Sequence, residues 1–516
     1  MNPVLRELLT NRFRALVGDM GEYLRRVALS TNIRERLDYS CGLLDAEGNL
    51  VVNAPHIPVH LGAMPLCVKQ VEALLPLKEG DTAITNHPGF GGSHLPDVTL
   101  VTPFFVNGVR VGYVANRAHH AEIGGRHPGS MVPDARELEE EGVVIHPFKC
   151  VEKNHPDWDR LESLFQSARY PSRSPQENLA DLRAQLAANH HGIQQLGNLA
   201  REYSAEVLSE AMAQIQSDSD QRLRSIWKSM GTQKLEATEF LDSGKPLRVE
   251  FRVEAGEATF DFSGTGTVNS GNLNAPLAVV HSAVLYVLRL ITRQEKPELA
   301  LNSGLLNSVT IRVPLGTFLN PCEANNNWPA VMGGNVELSQ RVVDTLLKAF
   351  GLSACSQGTM NNVVFGNATF GLYETLGGGA GATALQHGAS AVHTHMTNTR
   401  ITDPEILERR FPVRLREFSI RRGSGGKGKH HGGDGLVREY QFLTPVQVSF
   451  LGEHRSVAPY GMQGGESGTV GRQFRIKTDG TREELPGVYS GEFQDGEAFR
   501  VETPGGGAWG TEELES

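Results

Sequence analysis

Cysteine is scarce in this chain. There are five among 516 residues (Cys41, Cys67, Cys150, Cys322 and Cys355), an odd number with no CxxC spacing. That argues against a disulfide framework and fits a reducing, cytoplasmic setting. Long apolar runs are missing too: the most hydrophobic stretch, 277–291, holds His281 and Arg289 and is too short to cross a bilayer. The amino-terminal MNPVLRELLTNRFR has charges where a signal peptide needs an apolar core. Positive charge is in deficit. With 49 basic and 59 acidic side chains the formal charge is −10, the wrong sign for gripping nucleic-acid phosphates or anionic lipid. No G-x-S-x-G elbow occurs, so serine-hydrolase chemistry has no foothold.

Glycine is in excess: 57 residues, about 11% against a usual ~7%. The glycines cluster in GFGG, GGGAG, GSGGKGKHHGG and PGGGAWG without a repeating period, which excludes collagen and solenoid architectures. Such backbone-rich loops are common places to build sites. Hydrophobic residues at 39% and charged residues at 21% mark a globular chain, long enough for about two to four domains.

The spacing of Leu5, Leu9, Phe13, Leu16, Met20, Leu24 and Val27 predicts an amphipathic helix over 3–30, followed by strands at Tyr39–Leu44 and Leu50–Asn53. The segment 82–123 reads as a strand (TAIT), a loop (NHPGFGGSHLP) and a hairpin of VTLVTPFF with VRVGYVANRAHH around Asn107-Gly108. Pro103 implies an edge position or a bulge. Helices are expected in 176–231, 276–295 and 333–352, a strand pair in LRVEFRVEAGEATFDFSGT, and a β-rich region after Pro412. The expectation is an α+β, mixed multi-domain architecture divided into 1–240, 241–412 and 413–516.

Paired from the Asn107-Gly108 turn, the hairpin places Asp97 opposite Ala118. His94 and Asp97 then gather with His119 and His120 at its open end. The unbroken register puts Asp97 on the face of Ala118 and His120, whereas one bulge near Pro103 brings His119 round instead. Two imidazoles and a carboxylate suit a divalent transition metal of Zn, Mn or Fe type. A fourth ligand is available from Glu35 or Asp38 in IRERLDYS. The same residues also suit a bland role, as polar loop groups satisfying the neighbouring backbone.

Gly89, Gly91 and Gly92 allow either close approach to a ligand or a tight surface loop. RRGSGGKGKHHGGDG comes near a Walker A motif, but His430 stands where Ser or Thr is required and a strand follows. Both nucleotide-binding readings are rejected. His393 and His395 share a face if extended, as ligands, substrate contacts or structural histidines.

Those stretches, with ANRAHHAEIGGRHPGSM, FDFSGTG, GGNVELSQRVVD, YETLGGGAGA and HTHMTNTRITDPEILE, resemble the hydantoinase B / 5-oxoprolinase family nearly end to end. The resemblance implies one half of a two-component enzyme. An A-type ATPase subunit, with ATP and Mg, phosphorylates the substrate, and the B-type subunit carries a metal site and completes ring opening of a hydantoin, oxoproline or lactam. The implied assembly is a hetero-oligomer acting on a small cyclic amide, with no nucleic acid and no membrane involved. The implied ligands are His94, Asp97 and His119, with Asp38 the first choice and Glu35 the second for the further carboxylate. Glu122 stands where relatives usually show Asp, and Leu338 replaces a common Thr.

On this reading His120 or Glu122 shuttles a proton beside the ligand strand. The competing readings are an acetone- or acetophenone-type carboxylase subunit, a non-catalytic scaffold for the ATPase subunit, and an iron oxygenase with the same ligand set.

Overall fold

A computed structural model describes residues 1–54, 57–293, 301–322 and 327–512. The fold is α+β. Helix α1 (Pro3–Val27) starts at an Asn2 cap that accepts from the Val4 N–H, and is followed by the single turn α2 (Thr31–Arg34). Strands β1 (Tyr39–Asp45) and β2 (Leu50–Asn53) come next, then α3 (Pro58–Leu61), α4 (Ala63–Leu74), β3 (Thr82–Thr85), β4 (Asp97–Val106) and β5 (Val109–His119). The short α5 (Leu138–Glu141), β6 (Phe148–Glu152) and β7 (His155–Pro156) complete an antiparallel sheet of order β2-β1-β5-β4-β3-β6-β7.

Both faces of this sheet are covered, so its strands are apolar on both sides. On one face Leu43, Val52 and Val114 pack with Leu9, Phe13, Met20 and Leu24 of α1. On the other, Leu44, Tyr113 and Ala115 meet Met64, Val68 and Val71 of α4. Each such large side chain contributes about 1.5–3 kcal/mol on burial.

After α6 (Trp158–Ser167), two long helices flank the sheet, α7 (Pro175–Tyr203) and α8 (Ala205–Met230), broken at Ser204 with φ +72°. Strands β8 (Gln233–Phe240), β9 (Pro246–Glu254), β10 (Glu257–Asp261) and β11 (Val309–Arg312) form a second sheet, against which α9 (Leu277–Arg293) and α10 (Ser339–Ala349) bury Val280, Val284, Val343 and Leu346. The last two residues of the helix expected over 276–295 lie outside the described residues. The helix expected over 333–352 begins as a wider π-type turn, Gly334–Leu338, before α10.

Strands β12 (Asn362–Gly366) and β13 (Gly371–Thr375), unforeseen in the sequence, precede α11 (Pro404–Arg410). Then come β14 (Val413–Arg421), β15 (Gly435–Phe442), β16 (Val446–Leu451), β17 (Arg472–Ile476), β18 (Arg482–Leu485), β19 (Val488–Phe493) and β20 (Ala498–Glu502). Two sheets, β13-β12-β16-β19 and β14-β15-β20-β17-β18, pack through Phe365, Tyr440, Phe442, Phe450 and Phe499. The first of them joins strands from both sides of the division expected at 412, so sheet pairing crosses that point.

The glycine-rich segments pack on one another. Gly388 N donates to His431 O, Gly506 N to Gly433 O, and Gly507 N to Cys355 O. A β-carbon on Gly432 would lie 1.9 Å from the Gly506 carbonyl oxygen. Backbones this close admit no side chain, which accounts for much of the glycine excess.

Candidate metal centre

Three neighbouring strands bring the first-quarter residues into one row. The β4–β5 ladder pairs Asp97 with His119, because a bulge between Phe104 and Phe105 shifts the register by one from the turn. On the other side β1 pairs Tyr39 with Ala118, and the His119 N–H donates to Asp38 O at 3.0 Å. Asp38, His119 and Asp97 therefore share one sheet face at the same level. Leu37, held at φ +58°, turns the chain into β1 immediately before Asp38.

His94 arrives from the preceding loop. A tight turn, in which Asp97 N donates to His94 O at 3.1 Å, sets His94 beside Asp97. That loop is buried rather than a surface feature. Asn86 Nδ2 donates to Leu95 O (2.7 Å) and Val143 O (2.9 Å), and Arg117 donates to Gly91 O at 2.8 Å. Gly92 is required for packing within the loop, since a β-carbon there would meet Asn86 O at 2.2 Å.

Ligand atoms of His94, Asp97 and His119 all lie within 4.8 Å of one another. Asp97 Oδ1 is 3.2 Å from His94 Nε2 and 3.3 Å from His119 Nδ1, and Asp38 Oδ2 is 3.8 Å from His119 Nδ1. Asp97 Oδ1 nevertheless has no hydrogen-bond partner, although it is fully buried. His94 Nε2 also lies 3.2 Å from the Asn335 side-chain amide, whose Oδ1 has no hydrogen-bond partner of its own. Two imidazoles and a carboxylate converging on one buried point are a donor set that a cation would satisfy. Burial alone would raise the Asp97 carboxyl, but the His94 and His60 imidazoles beside it hold it well below the usual carboxylate range. Burial pushes the His119 imidazole down, opposed by Asp38 and Asp97.

Sequence reasoning missed three members of this site. His60, on α3, sets Nε2 3.1 Å from Asp97 Oδ2, and its Nδ1 is 3.1 Å from Ser40 Oγ. Asn335 sits on the π-type turn, a distortion often found at functional sites. Tyr373 of β13 stacks on His119 with ring centroids 5.1 Å apart and carries the Arg36 guanidinium 4.8 Å over its own ring. Asn335 and Tyr373 fall in stretches that resemble the family, GGNVELSQ and YETLGGG. His60, one of two histidines in the stretch APHIPVHLG, had no comparable signal. Together with Val59, Val336, Met360 and Thr397 these residues enclose a small cavity of about 20 Å³, room for a water or an ion.

Other expected residues lie elsewhere. Glu35 is half-buried, close enough to Arg25 to raise its basicity, and does not line the cavity. His120, next on the strand to His119, points to the opposite face, with Nε2 3.1 Å from Gln185 Oε1 and Nδ1 3.2 Å from Asn178 Nδ2. Glu122 accepts from the N–H groups of Gly124 (2.7 Å) and Gly129 (2.8 Å) and from Arg173 (3.2 Å). Neither lines the cavity, because strand alternation turns His120 away and the Gly124–Gly129 loop engages Glu122. Leu338 is buried in the core of the second sheet. His393 and His395 line a separate cleft. Cys322 is only half-buried, whereas the other four cysteines are buried, and none of the five forms a disulfide.

The hydantoinase B/oxoprolinase family pattern matches residues 2–512. The 5-oxoprolinase 1 of Arabidopsis thaliana is 44% identical over 530 residues, covering 98% of this chain and 41% of that protein. The chain thus spans about two-fifths of the length of that curated relative. Among solved structures, the ATP-dependent caprolactamase from Pseudomonas jessenii superposes with a TM-score of 0.89 at 23% identity, covering 99% of this chain and 91% of that one. A nucleotide-free acetone carboxylase superposes at 0.87 with 19% identity, covering 99% and 76%.

Proposed function

The chain belongs to the hydantoinase B/oxoprolinase family, and from that premise we propose that it is the metal-bearing part of an ATP-dependent cyclic-amide hydrolase. It opens a hydantoin, oxoproline or lactam ring that an A-type ATPase partner has phosphorylated. The observation that carries this reading is the buried, unpartnered Asp97 Oδ1 between His94 Nε2 and His119 Nδ1. No feature of this chain offers a phosphate loop, which accords with ATP being handled by the partner.

Asp97, His94 and His119 would hold a divalent ion of Zn, Mn or Fe type, with Asp38 and His60 at its edge. When bound, such an ion supplies Lewis acidity toward an electrophilic carbon and toward water. The chain's own groups do the rest. Ser40 fixes the His60 ring through Nδ1, and the Asn335 amide lies 3.2 Å from His94 Nε2 on the cavity wall. Asn335 keeps a buried, unpartnered Oδ1 on the cavity wall, placed to accept a ring N–H. Burial keeps the Tyr373 hydroxyl protonated far above neutrality, donating to Asn362 Oδ1 at 2.9 Å, so its ring serves as a fixed wall behind His119. Ile57, Val59, Val336 and Met360 limit water around the reacting carbon.

The test is co-expression with an A-type ATPase subunit and assay of 5-oxoproline, hydantoins and lactams for ATP-dependent ring opening. The reading expects turnover that His94→Ala abolishes while nucleotide binding by the partner survives. Intact hydrolysis in that variant contradicts it. Bicarbonate dependence with carbon retained in the product would instead favour the carboxylase alternative.

A further inference from the structure

Next to the metal cavity, and separated from it by the segment 393–397, an open cleft of about 510 Å³ remains unused by this chemistry. Thr397 faces the cavity while His393 and His395 face the cleft. Gln340 Nε2 pins the strip between them by donating to Thr394 O at 3.0 Å.

Two imidazoles shape the cleft. His395 is held in the left-handed region at φ +52°, a costly conformation for a residue with a β-carbon. Its Nε2 lies 3.0 Å from Oδ1 of Asp344, which is 1% exposed and also receives the Ser356 N–H at 3.1 Å. A carboxylate can only accept, so Nε2 carries the proton and Nδ1 presents its lone pair. His393 has a buried Nδ1 with no hydrogen-bond partner. The remaining wall is Tyr286, Leu290, Leu347 and Leu352 with small hydroxyls, and among the described residues no Lys, Arg, Asp or Glu lines it.

A ligand for this cleft must be uncharged, offer one donor to His395 and engage a second imidazole. An amide inside a small ring meets these demands, because its cis geometry puts N–H and C=O on the same edge. We propose that the cleft is a second binding site, which captures an uncharged cyclic amide or ureide beside the metal centre. The identity of the ligand rests on the hydrolase reading; the site itself rests on the paired imidazoles. Burial, with Arg36 nearby, pushes His393 down to about 4, so it stays neutral and suited to an uncharged partner.

The test is calorimetric titration of the full chain with hydantoin, and in parallel with anionic 5-oxoproline. The proposal expects saturable hydantoin binding that Val109→Thr, at the exposed β4–β5 turn, leaves within about twofold. His395→Phe, and Thr383→Trp at the cleft rim, should each weaken it at least about tenfold, the scale of one lost hydrogen bond or a blocked mouth. Thr383→Trp leaves the His395–Asp344 pair untouched, so it reports on the cleft even if His395→Phe misfolds. Oxoproline should bind at least about tenfold more weakly. Absence of hydantoin binding, binding that both cleft variants retain, or equal affinity for oxoproline each overturns the proposal. Ring opening is not the readout, so failure of the hydrolase reading registers separately.

Discussion

Asp97 faces His119 across the β4–β5 hairpin, one position away from where an unbroken ladder from the Asn107-Gly108 turn would put it. The bulge between Phe104 and Phe105 makes the difference, just past Pro103, whose missing N–H weakens the ladder there. It decides which of two adjacent histidines meets the carboxylate. His119→Ala should therefore lower turnover by at least about a hundredfold, on the scale of losing a ligand or its support. His120→Ala should alter turnover less than about tenfold but cost about 1–3 kcal/mol, since Gln185 and Asn178 lose a buried partner. Steady-state kinetics and thermal unfolding of the two variants separate these effects, and equal loss of turnover in both would contradict the assignment.

His60 and Asn335 act on the cluster from opposite sides, through Asp97 Oδ2 and His94 Nε2. Replacing either group should weaken metal affinity by about 10–100-fold, the usual effect of removing a group that orients a ligand. Competition with a chelator on His60→Ala and Asn335→Leu measures this. Unchanged affinity in both would leave the two residues without the role given them.

Glycine substitutions should divide by environment. Gly432→Ala drives a methyl against the Gly506 carbonyl and should cost about 2–3 kcal/mol. Gly18, inside α1 with nothing within 4 Å of its would-be β-carbon, should gain up to about 1 kcal/mol on replacement by alanine. Thermal midpoints moving in opposite directions would bear out the packing role of the glycine-rich segments.

Acid should destabilise the fold through its buried histidines. Burial pushes His87 and His281 each down to about 4, against about 6.5 in the unfolded chain. The unfolded state then binds more protons below pH ~6.5, and stability is lost as pH falls from there through about 4. Glu141 and Glu337 work the other way. Burial raises each to about 8, so their contribution is present in acid and is lost as pH rises through that value. His281→Leu should flatten the acid limb by up to one proton, about 1.4 kcal/mol per pH unit. Thermal midpoints between pH 7 and 4.5 measure it; an unchanged slope refutes it.

Local patterns carried much of this fold. Apolar spacing placed α1, and alternation placed β9 and β10, because each element buries one continuous face. The hairpin was readable from Asn107-Gly108, whereas Pro103 left an edge position and a bulge both open, and the sheet order settles on the bulge. Strands β12 and β13 were not, since they are buried on both sides and show no alternation. The same limit applied to the site. Pairing rules gathered His94 and Asp97 with His119 or His120, while the choice of His119, and of Asp38 ahead of Glu35, came from the family resemblance. His60, Asn335 and Tyr373 come from a short turn, a π-type turn and a distant strand, joined only by tertiary packing. His120 was misleading because it neighbours a cluster residue and faces the other way. The glycine-rich segments looked like ligand loops, yet their glycines serve backbone-to-backbone packing.

The central claim is that Asp97, with His94 and His119, holds one divalent cation. Elemental analysis of the purified chain, beside folded Asp97→Ala, tests it most directly. The account predicts close to one Zn, Mn or Fe per chain in the parent and a near-complete loss in the variant. Absence of a stoichiometric ion after dialysis against these metals, or equal metal content in the two proteins, would contradict it.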